Sequence, residues 1–162
     1  MSTEDFNDFM ITSNLAIAGV MTQVNTVESM INAYIAEFYT RCPAGDYQQP
    51  YIVFIADIMD NKFISLSAKI DILFRTFNHI SKEKAKGRRA SFNKWLEIRN
   101  KLAHGNIIGG KNKILYGGEF YDAKALREDF SKSQLKIMAT LEVFSELRGP
   151  YFNHYPVKDE RK

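Results

Sequence analysis

The sequence predicts an all-α protein: a helical bundle of about four helices, with a small β-hairpin after the third. Three observations predict this class. Apolar residues recur at steps of three and four through long stretches. Proline and glycine cluster at the joints between those stretches. Hydrophobic residues make up 45% of the chain and aromatic residues 13%, enough to fill a core without a disulfide or a metal.

The first helix is expected from about Ser13 to Tyr39. Ile17, Val20, Met21, Val24, Val27, Ile31, Tyr34, Ile35 and Phe38 mark its apolar face. At roughly eight turns it is a long element and a spine for the fold. Arg41-Cys42-Pro43-Ala44-Gly45-Asp46 should break it. Tyr51 to Met59 is a dense apolar run that fits a buried strand or a short helix equally well. Asp60-Asn61 reads as a turn. A second helix is expected from Ser65 to Ile80, with Ile70, Leu73, Phe74 and Phe77 on one side. Lys82 to Arg89 reads as a basic, solvated loop.

The third helix should run from Ala90 to His104, with Gly105 as a left-handed cap. Ile107 to Gly118 holds two short apolar runs about a glycine-containing turn, the pattern of a hairpin. The last helix is expected from Asp122 to Leu147, stopped by Gly149-Pro150. The whole chain, 1–162, reads as one domain, with a charged tail at 156–162 expected to fray.

Composition narrows the function classes. A net charge of +3 permits a phosphate-bearing partner without demanding one. The single cysteine, Cys42, allows no internal disulfide and has no nucleophile setting, which favours a reducing compartment. The acidic start lacks the basic and apolar regions of a signal peptide, and no apolar run is long enough for a membrane span. The expectation is a cytoplasmic protein with no membrane association. The His, Cys, Asp and Glu residues show no metal-ligand spacing, so no metal and no cofactor are expected. His79 and His154 have no motif around them. The paired glycines lack the setting of a phosphate-binding loop and read as turns.

The third helix carries an anomaly. With Phe92 at zero and about 100° per residue, Trp95 falls at about −60°, Leu96 at about +40°, Leu102 at about −80° and Ala103 at about +20°. Arg99 lands at about −20°, near the middle of this core-facing set. A guanidinium keeps its proton and is costly to bury alone. It needs a carboxylate, a subunit seam or a bound anion. Glu28 or Glu37 of the first helix could supply the carboxylate, and Glu28 could orient the Arg. Asn100 and His104 follow on the flank, at about +80° and +120°. His104 also stands in the last turn, where unpaired carbonyls favour an imidazolium. An Arg that steadies a phosphate and a His that moves protons are what phosphodiester cleavage requires. Arg99 and His104 lie about 140° apart on the wheel, which predicts that one helix does not bring them together. Two copies meeting across a two-fold axis could, so a homodimer with a composite site is expected.

The string Ile98-Arg99-Asn100-Lys101-Leu102-Ala103-His104-Gly105 resembles the signature of the HEPN superfamily. That signature is an Arg, usually followed by a polar residue, then a His after a short gap. The Ala-His-Gly ending, the long first helix, the Lys69-Ile70-Asp71 opening of the second helix and the long closing helix agree with it. About eight residues carry the specific match. The resemblance implies a dimeric, metal-independent endoribonuclease with Arg99, His104 and Asn100 catalytic. Arg99 would hold the scissile phosphate, His104 would act as acid and base, and Asn100 would orient His104 or touch RNA. Glu28, Lys69 and Lys101 stand as supporting or substrate-binding residues. The substrate would be RNA, attacked by its own 2′-hydroxyl, and the setting a toxin–antitoxin or anti-phage system with an antitoxin or regulatory protein as further partner. One subgroup has a Tyr two residues after the His, where this chain has Asn106. Regulation by nucleotide addition at that position is therefore not expected. Two other readings remain. One is a non-catalytic dimer of the same type that binds RNA, a nucleotide or a partner protein. The other is a structural helical protein in which Arg99 is a buried ion pair.

Overall fold

A computed structural model describes residues 3–41, 52–60, 63–108 and 112–154, with side chains described for 16–41, 52–60, 63–108 and 112–147. The chain is mainly helical, with a small antiparallel sheet after the helix that carries the motif. Among the described residues, no helix is long and apolar enough to cross a membrane. The chain divides into two compact units, 1–27 with 90–137, and 28–89 with 138–162. The first and last helices each run through both. The expected tail at 156–162 lies outside the described residues.

Helix α1 (Thr3–Thr40) is longer than the sequence pattern predicts, at 38 residues. Val20, Val24, Val27, Ile31 and Ile35 are buried at steps of three and four, as expected for one apolar stripe. Thr22, Thr26 and Thr40 donate to the carbonyls four residues back and so satisfy their hydroxyls within the helix. The helix ends at Arg41, whose φ of 56° is left-handed. The predicted break thus begins where expected; Cys42 to Asp46 lie outside the described residues.

The 28–89 and 138–162 unit contains helix α2 (Phe54–Met59), which resolves the ambiguous apolar run as helical. It is wound as a π-helix, and Asp60 N–H donates to the Ile55 carbonyl at 2.8 Å. Asn32 Nδ2 donates to Asp60 Oδ1 at 3.0 Å and ties this turn to α1. Helix α3 (Leu66–Ile80) starts where Ser65 Oγ accepts from Ala68 N–H at 3.2 Å. It buries Ile70, Leu73, Phe74 and Phe77. Phe77 stacks on Phe144 at 3.7 Å between centroids, and Phe74 meets the same ring edge-on at 5.6 Å. The expected basic loop contains a short helix, α4 (Lys82–Ala85). Ser81 caps it and Ala85 is buried, so one turn of helix is held at both ends. Gly87, with φ of 78°, then reverses the chain. Lys82, Lys84 and Lys86 are exposed, as expected of a solvated segment.

The 1–27 and 90–137 unit is built on helix α5 (Arg89–His104). Phe92, Trp95, Ile98 and Leu102 are buried, and so are Val20, Val24, Ile114, Leu126 and Phe130 of the same unit. Burial of each large apolar side chain contributes about 1.5–3 kcal/mol. Trp95 lies near Phe130 at 6.0 Å and donates its indole N–H to Gln134 Oε1 at 2.8 Å, so its polar atom is satisfied inside the core.

The predicted hairpin is a three-stranded meander, β1 (Asn106–Ile108), β2 (Lys113–Tyr116) and β3 (Glu119–Asp122). Gly117 and Gly118 both have positive φ, 60° and 83°, and form the two-residue turn that pairs Tyr116 with Glu119. Asp122 Oδ1 then accepts from Ala125 N–H at 2.7 Å and opens helix α6 (Ala123–His154). Gly149-Pro150 does not stop this helix. Proline forfeits one backbone donor and strains the preceding turn, but the helix continues to His154.

Candidate functional site

The last turn of α5 positions the site. Gly105 N–H donates to the Lys101 carbonyl at 3.0 Å, closing that turn before β1 begins. Gly105 is not in the left-handed conformation expected of it. Its place is fixed by close approach instead. A Cβ there would lie 2.1 Å from Ile114 Cγ2 and 2.4 Å from the Lys101 carbonyl oxygen. Only glycine lets β2 pack this tightly against the end of α5.

Arg99 is half-buried, not central to the core face. Ile98 belongs to the buried set and draws the stripe away from Arg99, while Leu96 and Ala103 are only half-buried. The guanidinium therefore sits at the edge of the stripe. Its Nη1 lies 3.1 Å from Asn100 Oδ1 and 3.2 Å from His104 Nε2. The motif's three polar side chains are thus brought together within one protomer. This corrects the expectation that a second copy is needed to join Arg and His. Wheel angles describe where side chains leave the backbone, not where they end. The long arginine side chain covers the angle between the two positions and brings Nη1 to the imidazole ring.

An arginine nitrogen can only donate. In this contact the guanidinium donates and His104 Nε2 accepts. Asn100 accepts through its amide oxygen. Arg99 Nε is buried with no hydrogen-bond partner. Among the described residues Arg99 has no carboxylate partner. The arrangement offers an unneutralised cation beside an imidazole lone pair. It can bind an anion and exchange a proton with a group held next to that anion.

The supporting residues are held by other partners. Glu28 receives Lys69 Nζ at 2.6 Å instead of orienting Arg99, and Lys69 is 3% exposed. Lys69 is committed to a structural ion pair in its own unit and is not open to a substrate. Lys101 pairs with Glu97 at 2.7 Å and sits 4.1 Å from the centre of the Tyr121 ring. The Glu97 hydrogen bond holds the Lys101 ammonium above its usual range. Tyr121 donates to Glu119, and that bond pushes its phenol above its usual value. Tyr121 was not foreseen beside the motif. The signal available was Gly117-Gly118 followed by Glu-Phe-Tyr, an I′ turn feeding another strand. Among the described residues, no group of three or more His, Cys, Asp or Glu could hold a metal.

Comparison of the chain with protein-family models, with curated proteins and with solved structures finds no match. The class defined by fold and site is thus a mainly helical protein with an Arg-Asn-His cluster at a helix-to-sheet junction.

Proposed function

We propose that the chain is a dimeric, cytoplasmic endoribonuclease of the HEPN type that cleaves RNA without a metal. The observation that supports it most is the Arg99 guanidinium, uncommitted to any described carboxylate, 3.2 Å from the His104 Nε2. Arg99 binds a non-bridging oxygen of the scissile phosphate. That binding draws the guanidinium off His104 and leaves Nε2 free to take the proton of the adjacent 2′-hydroxyl. The 2′-oxygen forms a bond to phosphorus and the bond to the 5′-oxygen breaks. The histidine returns its proton to that departing oxygen, directly or through water. The products are a 2′,3′-cyclic phosphate and a free 5′-hydroxyl. Asn100 steadies the guanidinium. A second copy adds binding surface, and an antitoxin or regulatory protein restrains activity in a toxin–antitoxin or anti-phage setting.

The test is incubation of purified protein with RNA in the presence of EDTA. Cleavage is expected from wild type, with a loss of at least about 100-fold in His104→Ala and Arg99→Ala. Identical traces from wild type and His104→Ala reject the proposal. If wild type leaves RNA intact and Arg99→Ala weakens RNA binding, the non-catalytic RNA-binding reading replaces it. Light scattering is expected to show a dimer.

A further inference from the structure

A second polar feature lies at the other end of α5. Ser91 and Lys94 of α5 face Asp129, Lys132, Ser133 and Lys136 of α6 across a groove of about 290 Å³. All belong to the same compact unit. Three ammonium groups line it against one carboxylate, so its field is positive. Lys94 and Lys132 have no partner among the described residues, whereas Lys136 has one. Ser91 stands in the first turn of α5, a sixteen-residue helix whose positive dipole end favours an anion. Ser133 supplies an independent observation. It is 7% exposed, lines the groove, and its hydroxyl has no partner among the described residues. Its Oγ is not one of the buried atoms left without a partner, so the hydroxyl is reached from the groove, where water or a ligand oxygen meets it.

We propose that this groove binds a phosphodiester of single-stranded RNA, away from the Arg99–His104 site. This rests on the ribonuclease reading, which makes RNA the occupant. Lys94 and Lys132 neutralise the phosphate, and Ser133 donates to one of its oxygens. Lys94 and His104 are separated by about 15 Å along α5. A strand of a few nucleotides spans that distance, so the groove grips the RNA at one point while the scissile phosphate meets Arg99. The groove is a binding site that sets strand position, with no part in the bond-making step.

The experiment uses the full chain and a labelled 2′-O-methyl RNA of about a dozen nucleotides, which has no 2′-hydroxyl to attack. Fluorescence polarisation reads binding across a salt series. Lys94→Gln with Lys132→Gln is expected to weaken binding about tenfold. It should also flatten the salt dependence by about 1.4 in log–log slope, roughly 0.7 for each ammonium that no longer meets a phosphate. Ser133→Ala is expected to weaken binding about threefold, and Lys82→Gln with Lys86→Gln to leave it unchanged. On cleavable RNA the double variant should raise KM and keep kcat. Circular dichroism of each variant establishes that it is folded. Unchanged affinity and slope in the folded double variant overturn the inference, as does equal weakening in the Lys82/Lys86 control. Competition by millimolar inorganic phosphate without RNA binding also overturns it, because the groove then takes a free ion. If wild type binds through these lysines yet does not cut RNA, the groove assignment stands and the nuclease reading falls.

Discussion

Gly105→Ala tests the junction that sets the site. The added Cβ would lie 2.1 Å from Ile114 Cγ2 and 2.4 Å from the Lys101 carbonyl oxygen. Ile114 is buried at 2% exposure, so its side chain has little free space to turn into. The carbonyl is backbone and already accepts from Gly105 N–H at 3.0 Å. Relief therefore requires opening the last turn of α5 or moving β2 away from it. Overpacking in a filled core costs about 1–3 kcal/mol, and a clash with backbone belongs at the upper end, about 3 kcal/mol. In a chain of this size that lowers Tm by about 6–12 °C. Urea unfolding followed by far-ultraviolet circular dichroism measures it. Gly19→Ala is the control: Gly19 lies within α1, is exposed, and has nothing within 4 Å of an added Cβ. That change should stabilise by about 0.5–1 kcal/mol. A Gly105→Ala protein within about 0.5 kcal/mol of wild type, the range of an inconsequential surface change, refutes the close-packing argument.

Two further predictions concern the ion pairs. Glu28→Gln strands the Lys69 ammonium, 3% exposed, without its counter-charge. Because Glu28 is itself 30% exposed on its side chain, the cost falls below that of a fully buried pair, at about 2 kcal/mol. Lys69→Met removes the charge, keeps most of the volume and should cost about 1 kcal/mol or less; denaturant midpoints in the opposite order would sink the assignment. At the sheet, Glu119 favours the protonated Tyr121 phenol and raises its pKa above the usual 10.0. The folded chain holds that proton more tightly, so the contribution is full below the unfolded value and fades as pH rises through the raised one. Lys101, raised above 10.5, acts in the same alkaline window and with the same sign. Glu119→Gln should lower the Tyr121 titration, read by phenolate absorbance, and lessen the loss of stability above about pH 10. An unchanged Tyr121 titration would show that the hydrogen bond does not set it.

The long helices were legible because each carries its own instructions. The steps of three and four in α1 name its buried stripe, and Ser65 and Asp122 mark starts that the structure keeps as caps. What escaped depends on information outside the local pattern. Gly117-Gly118 looks the same in sequence whether the chain leaves the sheet or turns back into it; pairing with β2 decides, and β3 follows. Gly105 looks like a left-handed cap, but its reason for being glycine is Ile114, nine residues on. Pro150 reads as a stop, yet α6 runs on to His154. In the site, the residue types and their shared location were legible, while their contact was not. A helical wheel has no side-chain length, and arginine's length closes the gap to His104.

That contact changes what a second copy has to explain. Had Arg99 and His104 pointed apart, a second copy would have been required to bring the two groups together. With Arg99, Asn100 and His104 joined on one α5, a single chain already brings together the cation and the imidazole that the proposed cleavage uses. In the proposed dimer a second copy is therefore not required to assemble the cluster. The resting arrangement also carries a built-in tension. Arg99 Nε is a buried donor without an acceptor, a cost of about 1–3 kcal/mol. His104 Nε2 is covered by the same guanidinium, 3.2 Å away. An anion that swings the guanidinium toward itself relieves both conditions in one movement. It satisfies the unmet N–H and uncovers the lone pair. Anchor and base are therefore coupled through a single side chain, so in the proposed cleavage the base is released only when a phosphate is in place.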